Sequence, residues 1–324
     1  MRFQGGGIMR VGVRGLVLSV LVAALAATSA YAAVSVFATG MIVPESITQT
    51  ASGSFYVTDA DDSGPIWSIP AGGGSATRLA KARYSLRDAI FLPAGFGSVG
   101  GQFLVVGGQA VVNGTAFAST MDASFKVRPY ASQARSLWNT PVFATSFGQF
   151  SGDVLVTNQG SGTESRDGSV DVFTPSGTVG RLTTLPSVNV PFGAALAPGS
   201  FGDVGGRLLV SDAEGSGIYS VSSSGAVSLF TTIPLASGQS GLRQMAFAPK
   251  GWGPYSGDLF VSVNTRDIDV VNNGGVVVGR ISGSFNPRGL RFTTLSGSPT
   301  LLFSDTSTGF VRRASPGDVV HVGD

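Results

Sequence analysis

Cysteine is absent from the 324 residues, and histidine occurs once, at His321. No disulfide can form, so stability must come from the core. Cys–His and Ser–His–Asp machinery lacks its parts. Charge is scarce as well, at 12% of residues. Three of the 21 basic residues, Arg2, Arg10 and Arg14, and none of the 19 acidic ones fall within residues 1–32. The remainder therefore holds 18 against 19, a net charge of −1, which gives no purchase on nucleic acid or on an anionic membrane.

Residues 1–32 differ in composition from the rest. "MRFQGGGIMRVGVR" is positive, "GLVLSVLVAALAATSA" is apolar, and Ala30-Tyr31-Ala32 supplies small residues at a cut before Ala33. That order predicts a secretory signal peptide and an exported chain, periplasmic or extracellular. The rival is an uncleaved anchor, with an apolar run near the lower length limit for spanning. With no twin arginine in the positive stretch, the general secretory route is expected. After cleavage no membrane insertion is expected.

What the sequence does have is glycine, 47 residues of it, and a phrase repeated at intervals. "VPESITQTA" (Val43), "SLRDAIFLP" (Ser85), "TPVFATSFG" (Thr140), "VPFGAALAP" (Val190), "GLRQMAFAP" (Gly241) and "NPRGLRFTT" (Asn286) each precede a second apolar run. Those runs are "SFYVTD", "QFLVVGG", "DVLVTN", "RLLVSD", "DLFVSV" and "TLLFSD". Turns and two further short runs follow. Four strands per repeat make a meander, and one meander cannot bury both faces, so six must stack around an axis. The prediction is an all-β, six-bladed β-propeller over residues 33–324, with four-stranded antiparallel blades and one domain. A β-sandwich or an open solenoid is the rival, disfavoured by the lack of polar caps. "VSVFATG" (34–40) reads as a fourth strand with nothing before it, able to close the ring by joining the last blade. The alternative is that "VVHVG" closes that blade and residues 34–39 pack outside it.

Four repeats insert related loops, "GFGSVGG", "SFGQFSG", "SFGDVGG" and "GWGPYSG". Their glycines suit positive φ, and their aromatic residue is expected to pack on a neighbouring blade. Trp67, Trp138 and Trp252 are read as packing residues rather than sugar platforms.

"PESITQTASGSFYVTDADDSGPIWSIPAGG" resembles the NHL-type repeat and the first blade of gluconolactonase-like propellers. The resemblance spans the chain after the leader but rests on a short, degenerate motif. It implies a six-bladed propeller. For the enzymes it further implies a calcium or zinc ion held in the channel by a Glu, an Asn and an Asp. Glu45 matches that Glu through its "PES" context.

In a propeller the first strand of each blade lines the channel. The third column of the six starts reads Glu45, Arg87, Val142, Phe192, Arg243 and Arg288. The fourth reads Ser46, Asp88, Phe143, Gly193, Gln244 and Gly289. No Asn stands in these columns, and Glu45 with Asp88 is a thin ligand set for a hard cation. Three arginines in one channel, opposed by Glu45 and Asp88 and flanked by Phe192 and Phe143, suit a small anion. The plainer reading is that they pair with acids and carbonyls and hold blades together. "DADDSG" (59–64) matches half of an EF-hand loop, but position twelve is Pro70. Its cousins "DAEGSG", "NQGSG" and "DTSTG" make it a turn device. "SGTESRDG" (161–168) lengthens one hairpin and could serve as a contact loop.

The functional expectation is a binding module for a small anionic molecule, a glycan or a protein, monomeric, with no obligatory cofactor and calcium as the one candidate. The alternative is a metal-dependent lactonase-like hydrolase or lyase using Glu45. A third class is a structural protein with no channel ligand.

Overall fold

The computed structural model describes residues 34–108, 114–134, 136–161 and 167–322. The expected signal peptide over residues 1–32 and most of the 161–168 loop lie outside them. Among the described residues no helix is long and apolar enough to cross a membrane.

The chain forms a six-bladed propeller of antiparallel sheets. Blade 1 comprises Pro44–Gln49, Phe55–Asp59, Pro65–Ile69 and Thr77–Lys81, and blade 2 Ser85–Phe91, Phe103–Gly108, Thr115–Met121 and Val127–Ala134. Blade 3 comprises Trp138–Phe143, Val154–Asn158, Ser169–Phe173 and Val179–Thr184, and blade 4 Pro191–Leu196, Leu208–Asp212, Gly217–Val221 and Val227–Thr232. Blade 5 comprises Leu242–Phe247, Leu259–Val263, Asp267–Val271 and Val277–Ser282. Blade 6 has Pro287–Leu295, Ser298–Asp305 and Phe310–Ala314. Each inner strand touches the inner strands of both neighbours, and the first touches the sixth.

The burial of each strand follows its distance from the axis. Second strands such as "VLVTN" and "LLVSD" are covered on both faces and are buried throughout. That explains their near-continuous apolar character, since a face without solvent needs no polar alternation. Outermost strands such as "VGRLTT" and "VSLFTT" lose burial in alternate stretches. The core lies between blades: Leu209 and Ile218 of blade 4 share a cluster with Met245, Leu259 and Val261 of blade 5.

The N-terminal strand Ser35–Thr39 runs antiparallel to Phe310–Ala314, with Ser35 opposite Arg313 and Val36 opposite Arg312. The short strand Val320–His321 instead pairs with the outer strand of blade 5, Gly279 opposite His321.

The four inserted loops each form a short 3-10 turn, at Gly97–Val99, Gly148–Phe150, Gly202–Val204 and Gly253–Tyr255. The aromatic before each turn, Phe96, Phe147, Phe201 or Trp252, is buried. Phe201 meets Phe247 of the next blade at 4.8 Å between ring centroids, and Trp252 meets Phe292 at the same separation. Gly202 has φ +51, and a Cβ there would lie 2.4 Å from the Asn273 carbonyl oxygen of the next blade. Glycine is required on both counts.

Candidate functional site

Inner and second strands are locked by a repeated hydroxyl device that also fixes the channel register. A Ser or Thr of a second strand donates to a carbonyl oxygen on the next blade's inner strand. Thr58 donates to Arg87 at 3.4 Å, Thr157 to Phe192 at 2.6 Å and Ser211 to Arg243 at 2.7 Å. Ser262 donates to Arg288 at 2.8 Å, and Ser304 closes the circle on Glu45 at 3.0 Å. Four of the five hydroxyls, all but Ser262, accept from Ser46 N, Thr140 N, Gly193 N and Gly289 N in their own blades. Blade 2 lacks the device, because Val106 stands opposite Asp88.

This register corrects one column of the sequence reading. Thr140, not Phe143, is the blade 3 equivalent of Ser46, Gly193 and Gly289. The residue before it, Asn139, therefore replaces Val142 at the ring position. The ring is Glu45, Arg87, Asn139, Phe192, Arg243 and Arg288. Val142 and Phe143 lie further along the strand, packed between blades. A signal for the shift was present. The ring residue precedes the loop aromatic by nine residues in blades 2, 4 and 5, as from Arg243 to Trp252, and by eight in blade 3.

The ring is cationic and poorly paired. Arg87 Nη1 lies 3.3 Å from Glu45 Oε1, and the Glu45 side chain is 3% exposed. Glu45 Oε2 and the Nε atoms of Arg87, Arg243 and Arg288 are buried without a hydrogen-bond partner, as is Asn139 Oδ1. Asn139 Nδ2 donates to the Pro191 carbonyl at 2.7 Å. Among the described residues neither the Arg243 nor the Arg288 guanidinium has a hydrogen bond or ion pair. Arg243 lies over the Phe192 ring, 4.9 Å from its centroid. Burial, then the charge of Arg288, pushes Arg243 down to about 9. Burial also lowers Arg288.

Asp88 does not oppose the arginines in this ring. One level deeper, its Oδ2 accepts from Gln244 Nε2 at 2.6 Å, and Gln244 Nε2 also donates to Thr140 Oγ1 at 2.8 Å. Its Oδ1 accepts from Ala89 N. Burial raises Asp88 to about 7, against the lowering effect of these hydrogen bonds.

A channel metal does not fit this donor set. Asn139 restores one of the three residue types implied by the resemblance, but Phe192 occupies the blade 4 position. Glu45 is engaged by Arg87, and two further guanidiniums share the ring. Hard cations need several oxygen ligands, and a net positive ring repels them. Among the described residues no three His, Cys, Asp or Glu side chains gather as a metal site. At "DADDSG" both Asp59 oxygens are taken, by Ile42 N, Val43 N, Asp61 N and Trp67 Nε1. Asp212 and Asp305 cap equivalent turns in the same way. Trp138 donates to Asp171 and is fully buried, as is Trp252.

No protein-family model matches the sequence, and no curated protein does. Solved structures do match. The calcium-binding protein regucalcin from Agrobacterium tumefaciens superposes with a TM-score of 0.62 at 13% identity, over 86% of this chain and 95% of its own. A gluconolactonase from Xanthomonas campestris gives 0.62 at 14% identity, over 89% and 88%. A streptogramin B lyase gives 0.53 at 12% identity, over 87% and 94%. The structural neighbours are thus regucalcin- and gluconolactonase-like propellers, and at these identities what is shared is the fold.

Proposed function

We propose that this propeller binds a small anion, a carboxylate or phosphate group, at the arginine ring. One observation carries the reading: three half-buried guanidiniums face one carboxylate, their Nε atoms are buried without a partner, and two of them have no hydrogen bond or ion pair. Holding unpaired charge partly out of water is costly, so a fold that keeps it has a use for it. Arginine's planar fork suits a two-oxygen anion, and Phe192 supplies an apolar wall. The leader-like residues 1–32 support an exported location for this binding.

The test is thermal unfolding in phosphate, acetate and gluconate. A ligand at about 100 times its dissociation constant stabilises by roughly 2.7 kcal/mol. For a domain of this size that is on the order of 5 °C. Arg243→Ala combined with Arg288→Ala should abolish the shift. If no anion moves the midpoint of the unaltered protein, the reading fails.

A second reading is a propeller enzyme acting on a lactone or sugar acid, favoured by the fold shared with a gluconolactonase and a lyase. Glu45 would then orient substrate or move a proton, and the arginines would hold the acid product. Lactone hydrolysis by the unaltered protein and its loss in Glu45→Gln would support this. Equal rates in the two proteins would remove it.

A further inference from the structure

On the side of Asp88 and Gln244 away from the arginines lies a chamber of about 340 Å³. Its wall comes from the later halves of the inner strands. None of the six ring residues lines it, so it opens at the mouth opposite the arginines. We propose that this chamber is a second binding site, for an uncharged, polyhydroxylated molecule of monosaccharide size.

The chemistry of the wall selects that class. Its volume sits at the lower end of the range for small-molecule sites. Asp88 and Arg291 are its only charged residues, and they are opposite in sign. A cation would meet Arg291, and an anion would meet Asp88 in the fraction of molecules where its carboxyl is ionised. A hydroxyl serves both, because it donates and accepts. The available partners are of both kinds. Among the described residues the Arg291 guanidinium makes no hydrogen bond or ion pair, although it stands at the rim of the chamber. Gln244 uses Nε2 for its bonds to Asp88 and Thr140, which leaves Oε1 to accept. Gln49 accepts from Thr293 Oγ1 through Oε1 at 3.0 Å, which leaves its amide nitrogen to donate. Phe91 and Phe143 add apolar edges to the wall, and Phe91 is held in place at 4.9 Å from Phe103 and 5.7 Å from Tyr56. The polar groups are also fixed in place: Asp88 is anchored by Gln244 and by its neighbour's amide, so it needs no reordering on binding.

The proposal does not depend on the arginine ring, because the two sites share no residue and face opposite mouths. The experiment is a titration of the full chain with D-glucose, D-galactose, D-mannose and D-xylose, followed by saturation-transfer NMR and calorimetry. At least one sugar should bind saturably. Arg291→Ala and Phe91→Leu should each weaken it, the former by about tenfold or more, as expected for loss of a charged hydrogen bond. Arg243→Ala should leave it unchanged. Both mouth substitutions fall on solvent-reaching side chains, and two variants guard against the failure of one to fold. Absence of saturable binding by all four sugars overturns the proposal. So does binding that survives both mouth substitutions, or binding lost in Arg243→Ala alone, which would place the sugar at the arginine ring.

Discussion

Gln244 of blade 5 reaches Asp88 of blade 2, the blade diametrically opposite, with Nε2 2.6 Å from Oδ2. The side chains thus form a bar across the channel, steadied by Thr140 at 2.8 Å. Gly193 and Gly289 share this level. A Cβ at Gly193 would lie 2.1 Å from the Arg243 carbonyl oxygen, and one at Gly289 would lie 2.4 Å from that of Glu45. Close approach of the inner strands there is what lets one side chain span the gap. Gln244→Leu removes the bar and leaves Asp88 Oδ2 without the Gln244 donor, while Ala89 N still serves Oδ1. The expected loss is about 1–3 kcal/mol in urea unfolding. A loss below the experimental error would mean the bar is not a structural tie.

Asp88 also predicts a pH dependence. Its folded value, about 7, lies above the ordinary aspartate value because burial disfavours the charged form. The folded protein therefore holds this proton more tightly than the unfolded chain. The stabilising contribution is full below about 4, falls as pH rises, and is gone above about 7. Asp88→Asn removes the titration. Its stability relative to the unaltered protein should improve by up to a few kcal/mol between about pH 5 and about pH 8. Parallel pH curves for the two proteins would refute the assignment.

Arg243→Met separates binding from stability. It deletes a half-buried charge that has no ion partner and replaces it with an apolar side chain of similar length. Such replacements are often neutral or stabilising by about 1–4 kcal/mol. The melting temperature without anion should hold or rise, while the shift produced by phosphate should vanish. A marked fall in melting temperature would show instead that Arg243 ties the blades together.

Gly202→Ala places a Cβ against the Asn273 carbonyl at a positive φ. It should destabilise by roughly 1–3 kcal/mol through strain and displacement of the next blade. Gly180→Ala is the control, because its Cβ meets nothing within 4 Å and its φ is not positive. Equal effects would show that the loop, not the backbone conformation, matters.

We propose that the strand Ser35–Thr39 fastens the ring. Phe37 and Ala38 are buried there, and Phe37 meets Phe55 of blade 1 at 5.6 Å while its strand pairs with blade 6. Phe37→Ala should cost about 3–5 kcal/mol, as for a core aromatic. A change under about 1 kcal/mol would mark the strand as an accessory.

The sequence by itself determined the architecture. Six copies of one meander, each with faces too apolar to leave in water, have few ways to be buried other than around an axis. The loop aromatics and their glycines were legible because the same backbone problem is solved four times in the same residues. The ring positions Glu45, Arg87, Phe192, Arg243 and Arg288 could be read from the repeat. Asn139 was masked, because "TPVFATSFG" matches the repeat in composition three residues out of register; the spacing to Phe147 hints at the shift, and the Thr140–Thr157 hydrogen bond fixes it. The tertiary structure alone decided what these side chains do. Asp88 and Gln244 stand 156 residues apart in the chain, and no local pattern relates them. Pairing across the channel depends on six blades converging on one axis, and so does the crowding that leaves Arg243 and Arg288 unpaired. Repetition fixes which residues point inward; the diameter of the closed ring fixes which of them can meet.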